Sequence, residues 1–153
     1  MKKKLTFTIE IQAPRSLVWK KMLDAEDYKT WTSAFCEGSY FTGSWEKDSK
    51  IDFLSPSGNG MTAIIADNRP YEYLSIKHLG EINKGVEDTT SEDIQAWAPA
   101  YENYEFTETT TGTKLIVHLD TMPGYEQYML EAYPKALTLL KQMCESDSLA
   151  RLE

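Results

Sequence analysis

The chain has 153 residues, 41% hydrophobic and 26% charged, with a formal net charge of -8, the make-up of one ordinary globular domain (residues 1–153) large enough for a core. The acidic balance and the lack of a basic run argue against a nucleic-acid partner, which most of the surface would repel. No stretch reaches the ~20 apolar residues of a membrane span, so no stable membrane insertion is expected.

The opening Met1-Lys2-Lys3-Lys4 has the charge of a signal-peptide start, but no apolar segment follows it. Instead Leu5 to Gln12 alternates as a strand, with Leu5, Phe7, Ile9 and Ile11 facing inward. Ala13-Pro14 ends it and opens a helix whose buried side is Leu17, Val18, Trp19, Met22 and Leu23, leaving Lys20 and Lys21 in water. Asp24 is placed to cap a second short helix, from Ala25 to about Ser33, presenting Tyr28 and Trp31.

Strands are expected at Glu37–Thr42 and Lys50–Leu54, then at Met61–Asp67 and Tyr71–Ile82 across a turn at Asn68-Arg69-Pro70. Residues 83–99 read as a polar, acidic loop ending in Trp97-Ala98-Pro99, with Trp97 positioned as a lid. A hairpin of Tyr101–Thr109 and Thr113–Thr121 turns at Thr110-Thr111-Gly112.

The run from Met122-Pro123-Gly124-Tyr125 to Cys144-Glu145 closes the chain. Tyr125, Met129, Ala132, Tyr133, Ala136, Leu140, Met143 and Cys144 recur at steps of three and four, which predicts an amphipathic helix of roughly twenty residues. Pro123 suits its first turn. Pro134 falls on the polar face between Glu131 and Thr138, where water reaches the carbonyl it leaves unpaired and a bend would curve the helix around its support. Small Ala132 and Ala136 among larger neighbours either let a strand approach closely or leave a void. The predicted fold class is α+β: a curved antiparallel sheet of about six to seven strands around a long C-terminal helix, with two short helices after the first strand.

This element order resembles the helix-grip fold of the START/Bet v 1-like (SRPBCC) superfamily. Within it, the chain is similar to proteins that resemble the C-terminal domain of the activator of Hsp90 ATPase. The segments carrying the resemblance are Ile11-Gln12-Ala13-Pro14 with Val18-Trp19, and Asp24 through Tyr28 to Trp31. Gly60-Met61-Thr62-Ala63-Ile64-Ile65, Arg69-Pro70, Tyr73-Leu74-Ser75-Ile76 and Gly112-Thr113-Lys114-Leu115 extend it over nearly the whole chain. The resemblance implies a cavity between sheet and long helix that takes a small hydrophobic molecule, lipid-like or aromatic.

The candidate ligand-binding residues are Trp31, Phe53, Met61, Ile76, His78, Trp97, Tyr104, Phe106, Val117, Tyr125, Met129, Ala132, Tyr133 and Ala136. The same residues in a close-packed interior would leave no cavity at all. His78 shares strand parity with Leu74 and Ile76 and points inward, either to a ligand or proton, or to a neighbour as a hydrogen-bonded core histidine. His118 alternates against Val117 and Leu119 and faces solvent. Glu102 shares parity with Tyr104 and Phe106, yet at the start of its strand it is expected to reach water, as is Asp67.

The acidic residues Glu87, Asp88, Glu92 and Asp93 lack the spacing and glycine of a calcium loop, and Cys36 and Cys144 form neither a disulfide framework nor a metal site. Both read as reduced thiols of a cytoplasmic protein. No cofactor, metal or catalytic residue is assigned. The alternatives to ligand binding are a polyketide cyclase/dehydratase-like enzyme using the same cavity, and an Hsp90-type co-chaperone module. The macromolecular partner would then be a chaperone, or a second copy of the chain in a homodimer.

Overall fold

The computed structural model describes residues 2–152. β1 (Lys3–Ile11) alternates exposed threonines and charges with Leu5, Phe7, Ile9 and Ile11, as its sequence period requires. It leads into α1 (Arg15–Leu23), which buries Leu17, Val18 and Met22. α2 (Ala25–Trp31) starts where the Asp24 carboxylate accepts from the backbone N–H groups of Glu26 and Asp27, and it buries Tyr28 and Trp31. A 3-10 turn at Thr32–Ala34 ends it.

Strands β2 (Tyr40–Gly43), β3 (Lys50–Leu54), β4 (Gly60–Arg69), β5 (Tyr73–Asn83), β6 (Val86–Asp88), β7 (Ala100–Glu108) and β8 (Thr113–Thr121) follow, with the short helix α3 (Glu92–Gln95) before β7. The chain ends in α4 (Glu126–Leu152). The strands form one antiparallel sheet in the order β1-β8-β7-β5-β4-β3-β2, with β6 added beside β5. β1 and β8 pair over their full lengths, Phe7 opposite Val117 and Ile11 opposite Thr113. β4 is bulged against β5 at Thr62/Ala63 and again at Ile65/Asp67. Such bulges bend a strand and increase its twist, helping the sheet curve around α4.

The expected fold class holds, with one more strand than six or seven. β6 arises inside the segment read as a loop. Gly80 permits it, because a Cβ there would meet the Asp88 carbonyl oxygen at 2.1 Å. The rest of that segment is also structured. Ser91 caps α3, and Ile94 and Trp97 are buried with Ala100.

Other boundaries move in ways the backbone explains. β2 begins at Tyr40, since Gly38 has φ +85° and ends a turn there. β5 starts at Tyr73, after Tyr71 with φ 70°. Pro123 lies outside α4, in a turn closed by the Tyr125 N–H on the Met122 carbonyl (3.1 Å), with Gly124 at φ 86°. At its far end α4 outruns the expected twenty residues because no breaker follows Glu145, and Asp147 reaches Lys21 of α1 at 3.9 Å.

α4 packs on β1, α1, α2 and the 3-10 turn. Its buried face is Ala132, Tyr133, Ala136, Leu137, Leu140 and Cys144. Pro134 is exposed, as its place on the polar face requires, and its carbonyl accepts from the Thr138 hydroxyl at 2.9 Å. Among the described residues, no helix is long and apolar enough to cross a membrane, and Cys36 and Cys144 are free thiols.

Candidate functional site

The interior is solid at one end and hollow at the other. A cavity of about 640 Å³ opens between α2, the N-terminal half of α4 and the middle of the sheet. One wall is aromatic. Tyr28 meets Trp31, Phe41, Trp45 and Phe53 with ring centroids 5.1–6.2 Å apart. The indole N–H groups of Trp31 and Trp45 donate to the carbonyls of Met22 (3.0 Å) and Leu23 (3.1 Å). Those bonds fix the two rings, both of which line the cavity.

A polar cluster adjoins the aromatic wall, the Phe53 ring lying 5.6 Å from that of His78. His78 on β5, Glu102 and Tyr104 on β7, and Tyr133 on α4 all line the cavity. His78 Nε2 lies 2.9 Å from Glu102 Oε1. The hydroxyls of Tyr104 and Tyr133 both reach Glu102 Oε2, and they lie 2.6 Å from each other. His78 Nδ1 is buried without a hydrogen-bond partner among the described residues. The cluster ties the helix to the sheet through one carboxylate.

Burial is the largest single influence on Glu102 and acts to raise its pKa. The hydrogen bond and electrostatic pull of His78, with the two tyrosine hydroxyls, outweigh burial and hold the carboxyl below the usual range. Burial, followed by the field of Glu102, pushes the hydroxyls of Tyr104, Tyr133 and Tyr28 up. The cluster is therefore an ionised carboxylate cradled by neutral phenols.

Of the residues singled out from sequence, Trp31, Phe53, Met61, Ile76, His78 and Tyr104 line the cavity, and so do Tyr125, Met129 and Tyr133 from the C-terminal segment. Tyr125 is 45% exposed and stands at the mouth. Five others lie elsewhere. Trp97 is no lid: it is buried with Ile94 and Ala100, against Met61, Ala98 and Met122. Phe106 packs on Trp19 of α1 at 5.2 Å, and Val117 pairs with Phe7 in the closed part of the sheet. Ala132 and Ala136 are buried where α4 meets its neighbours, so their small size allows close approach instead of opening a void.

Glu102 is the main correction. It does not simply reach water, because β5 and β7 pair past it, with Ile76 opposite Glu102 and Ala100 opposite His78. Its parity with Tyr104 was the signal that could have placed it. Tyr28, Trp45 and Phe35 also line the cavity; only proximity in space brings them there. Tyr128 joins them at the mouth, its hydroxyl donating to the Phe35 carbonyl. His118 is exposed and pairs with Glu105 at 2.6 Å, and Asp67 holds Arg69 at 3.0 Å, away from the cavity. Among the described residues, no cluster of three or more His, Cys, Asp or Glu could hold a metal ion.

No protein-family model matches the chain, and no curated protein sequence matches it. Solved structures do. The Aha1 dimer from Colwellia psychrerythraea superposes with a TM-score of 0.72 at 14% identity, covering 94% of this chain and 96% of that one. An AHSA1-like protein from Aeromonas hydrophila gives 0.64 at 14% identity, over 96% and 95% of the two chains. A protein from Mesorhizobium loti gives 0.71 at 13% identity, over 99% of both. The chain has the helix-grip fold of Aha1 and the AHSA1-like proteins. At these identities the likeness is one of architecture, and the chemistry rests on this chain's own residues.

Proposed function

We propose that residues 1–153 act as a single domain that binds a small, largely apolar molecule in the cavity beneath the N-terminal half of α4. The observation that carries this reading is the cavity itself, walled by the rings of Tyr28, Trp31, Trp45 and Phe53. Its volume falls in the range of ligand pockets, and close-packed interiors rarely leave such space. A ligand that buries ~300 Å² of apolar surface there gains on the order of 7 kcal/mol before ordering costs. With a few polar contacts, that supports roughly micromolar affinity. The free thiols of Cys36 and Cys144 suit a cytoplasmic setting.

The test has two arms. Native mass spectrometry of protein purified without detergent should show a co-purified small molecule, or the empty chain should bind 2-(1-naphthyl)ethanol 1:1 by calorimetry. Met129→Trp, which fills the cavity, should abolish that binding. No ligand, no heat and indifference to Met129→Trp would together sink the reading.

A second reading is a proton-transferring enzyme of the polyketide cyclase/dehydratase kind. The Glu102–His78 pair on the cavity wall favours it, since a carboxylate orienting an imidazole is a general-base arrangement. Turnover of an enolisable polyketone that survives His78→Ala unchanged would remove that role. A co-chaperone role ranks third, supported by likeness of fold to an Aha1 described as a dimer. Light scattering for self-association and a pull-down with purified Hsp90 test it.

A further inference from the structure

The proposed cavity, taken as a ligand site, carries more information than size and apolarity. Its ionisable wall groups are unusually one-sided. Glu81, Glu102 and Asp120 line it together with His78, and among the described residues no lysine or arginine does. Asp120 is balanced by Lys4 at 3.1 Å and accepts the Tyr101 N–H at 2.9 Å. Glu102, in contrast, has no lysine or arginine beside it among the described residues and is held there by His78 and two phenols.

Several wall donors that could receive an anion are already engaged, while His78 Nδ1 has no partner among the described residues. The N–H groups of Trp31 and Trp45 bind backbone carbonyls, and the Thr32 hydroxyl donates to the Tyr28 carbonyl at 2.5 Å. The protons of Tyr104 and Tyr133 turn toward Glu102. A carboxylate offers about four acceptor positions, and Glu102 uses one on Oε1 and two on Oε2. An acceptor position remains on Oε1. Aromatic rings line the same cavity, that of Phe53 lying 5.6 Å from the His78 ring, and the negative faces of such rings attract cations.

We infer that the cavity selects an organic cation, an aromatic or alicyclic body bearing a protonated amine, with the ammonium on Glu102 and the body against Tyr28, Trp31, Trp45 and Phe53. A fatty acid or other apolar anion of the same size is disfavoured, because its carboxylate would meet Glu102, Glu81 and Asp120 on a wall to which, among the described residues, no lysine or arginine contributes. The inference rests on the ligand-binding reading, and its test separates the two.

Three ligands of matched shape suffice: 2-(1-naphthyl)ethylammonium, 2-(1-naphthyl)ethanol and 1-naphthylacetate, titrated by calorimetry at neutral pH and physiological salt. The ammonium should bind about ten- to hundredfold more tightly than the alcohol, as a charge-assisted bond in a partly dry site does, and the naphthylacetate most weakly. Glu102→Gln should bring the ammonium to within about threefold of the alcohol, both titrated on the same variant. Binding of the alcohol with no preference for the ammonium, or with naphthylacetate equal or tighter, overturns the cation inference and leaves the cavity reading standing. No binding of the alcohol or the ammonium overturns both. Should Glu102→Gln fail to fold, the wild-type series decides alone.

Discussion

The two halves of α4 face the same sheet and do opposite things. From Ala136 onward, Ala136, Leu137, Leu140 and Cys144 are all but fully buried, and the helix closes onto β1 and α1. Small residues there draw backbones together, and larger ones fill what remains. Before Ala136, Tyr133 stacks on Phe7 at 4.9 Å and meets Phe35 edge-on at 4.9 Å, while Met129, and Tyr125 just ahead of the helix, border open space. Tyr133 acts as a strut, propped by its hydroxyl on the polar cluster. Void and closure thus come from how rings and carboxylate hold elements apart, not from how small the helix residues are.

The largest contrast should appear on truncating the two halves. Leu140→Ala removes a side chain with no exposure and should cost about 3 kcal/mol in urea unfolding, while Met129→Ala at the cavity edge should cost less than about 1 kcal/mol. Equal costs would erase the distinction. Tyr133→Phe comes next. It removes one donor from the Glu102 carboxylate and leaves its ring in place, so a loss of about 1–2 kcal/mol is expected. No loss would mean that the strut works by shape alone.

A smaller effect concerns pH. Glu102 in the folded chain is held below its ordinary value of 4.5, so the ionised group favours folding. This stabilisation is complete above the ordinary value and is lost as pH falls through the folded one. Between about pH 6 and about pH 3 the wild type should therefore lose more stability than Glu102→Gln. Parallel curves would contradict the cradle of His78, Tyr104 and Tyr133.

The last contrast leaves stability untouched. Burial pushes the Cys144 thiol up to about 12, and it sits in the closed half, whereas Cys36 is exposed at the cavity. A disulfide reagent should label one thiol quickly and the other only on unfolding.

The same contrast shows what the sequence makes legible. Period-two alternation locates Lys50–Leu54 and Thr113–Thr121 to the residue, and the Asp24 cap and the exposed Pro134 follow from local chemistry. Periodicity states which face of an element turns inward, so it places His78 inside. It does not state how far apart two inward faces stand. That is why Ala132 and Ala136 leave the void undecided, and why Trp45, on the stretch between β2 and β3, carries no signal. Glu102 escapes for a related reason: its depth depends on β5 and β7 pairing beyond it, a long-range fact. The 83–99 segment hides a strand and a helix because charge dominates it while two apolar anchors, Ile94 and Trp97, hold it.

The most direct measurement of hollow against closed is a methyl NMR titration with 2-(1-naphthyl)ethanol. Saturable shifts should appear at Met61, Ile76 and Met129 around the cavity, with Val18 and Leu140 in the closed half unmoved. Shifts spread over surface methyls, or equal shifts in both halves, would contradict the account.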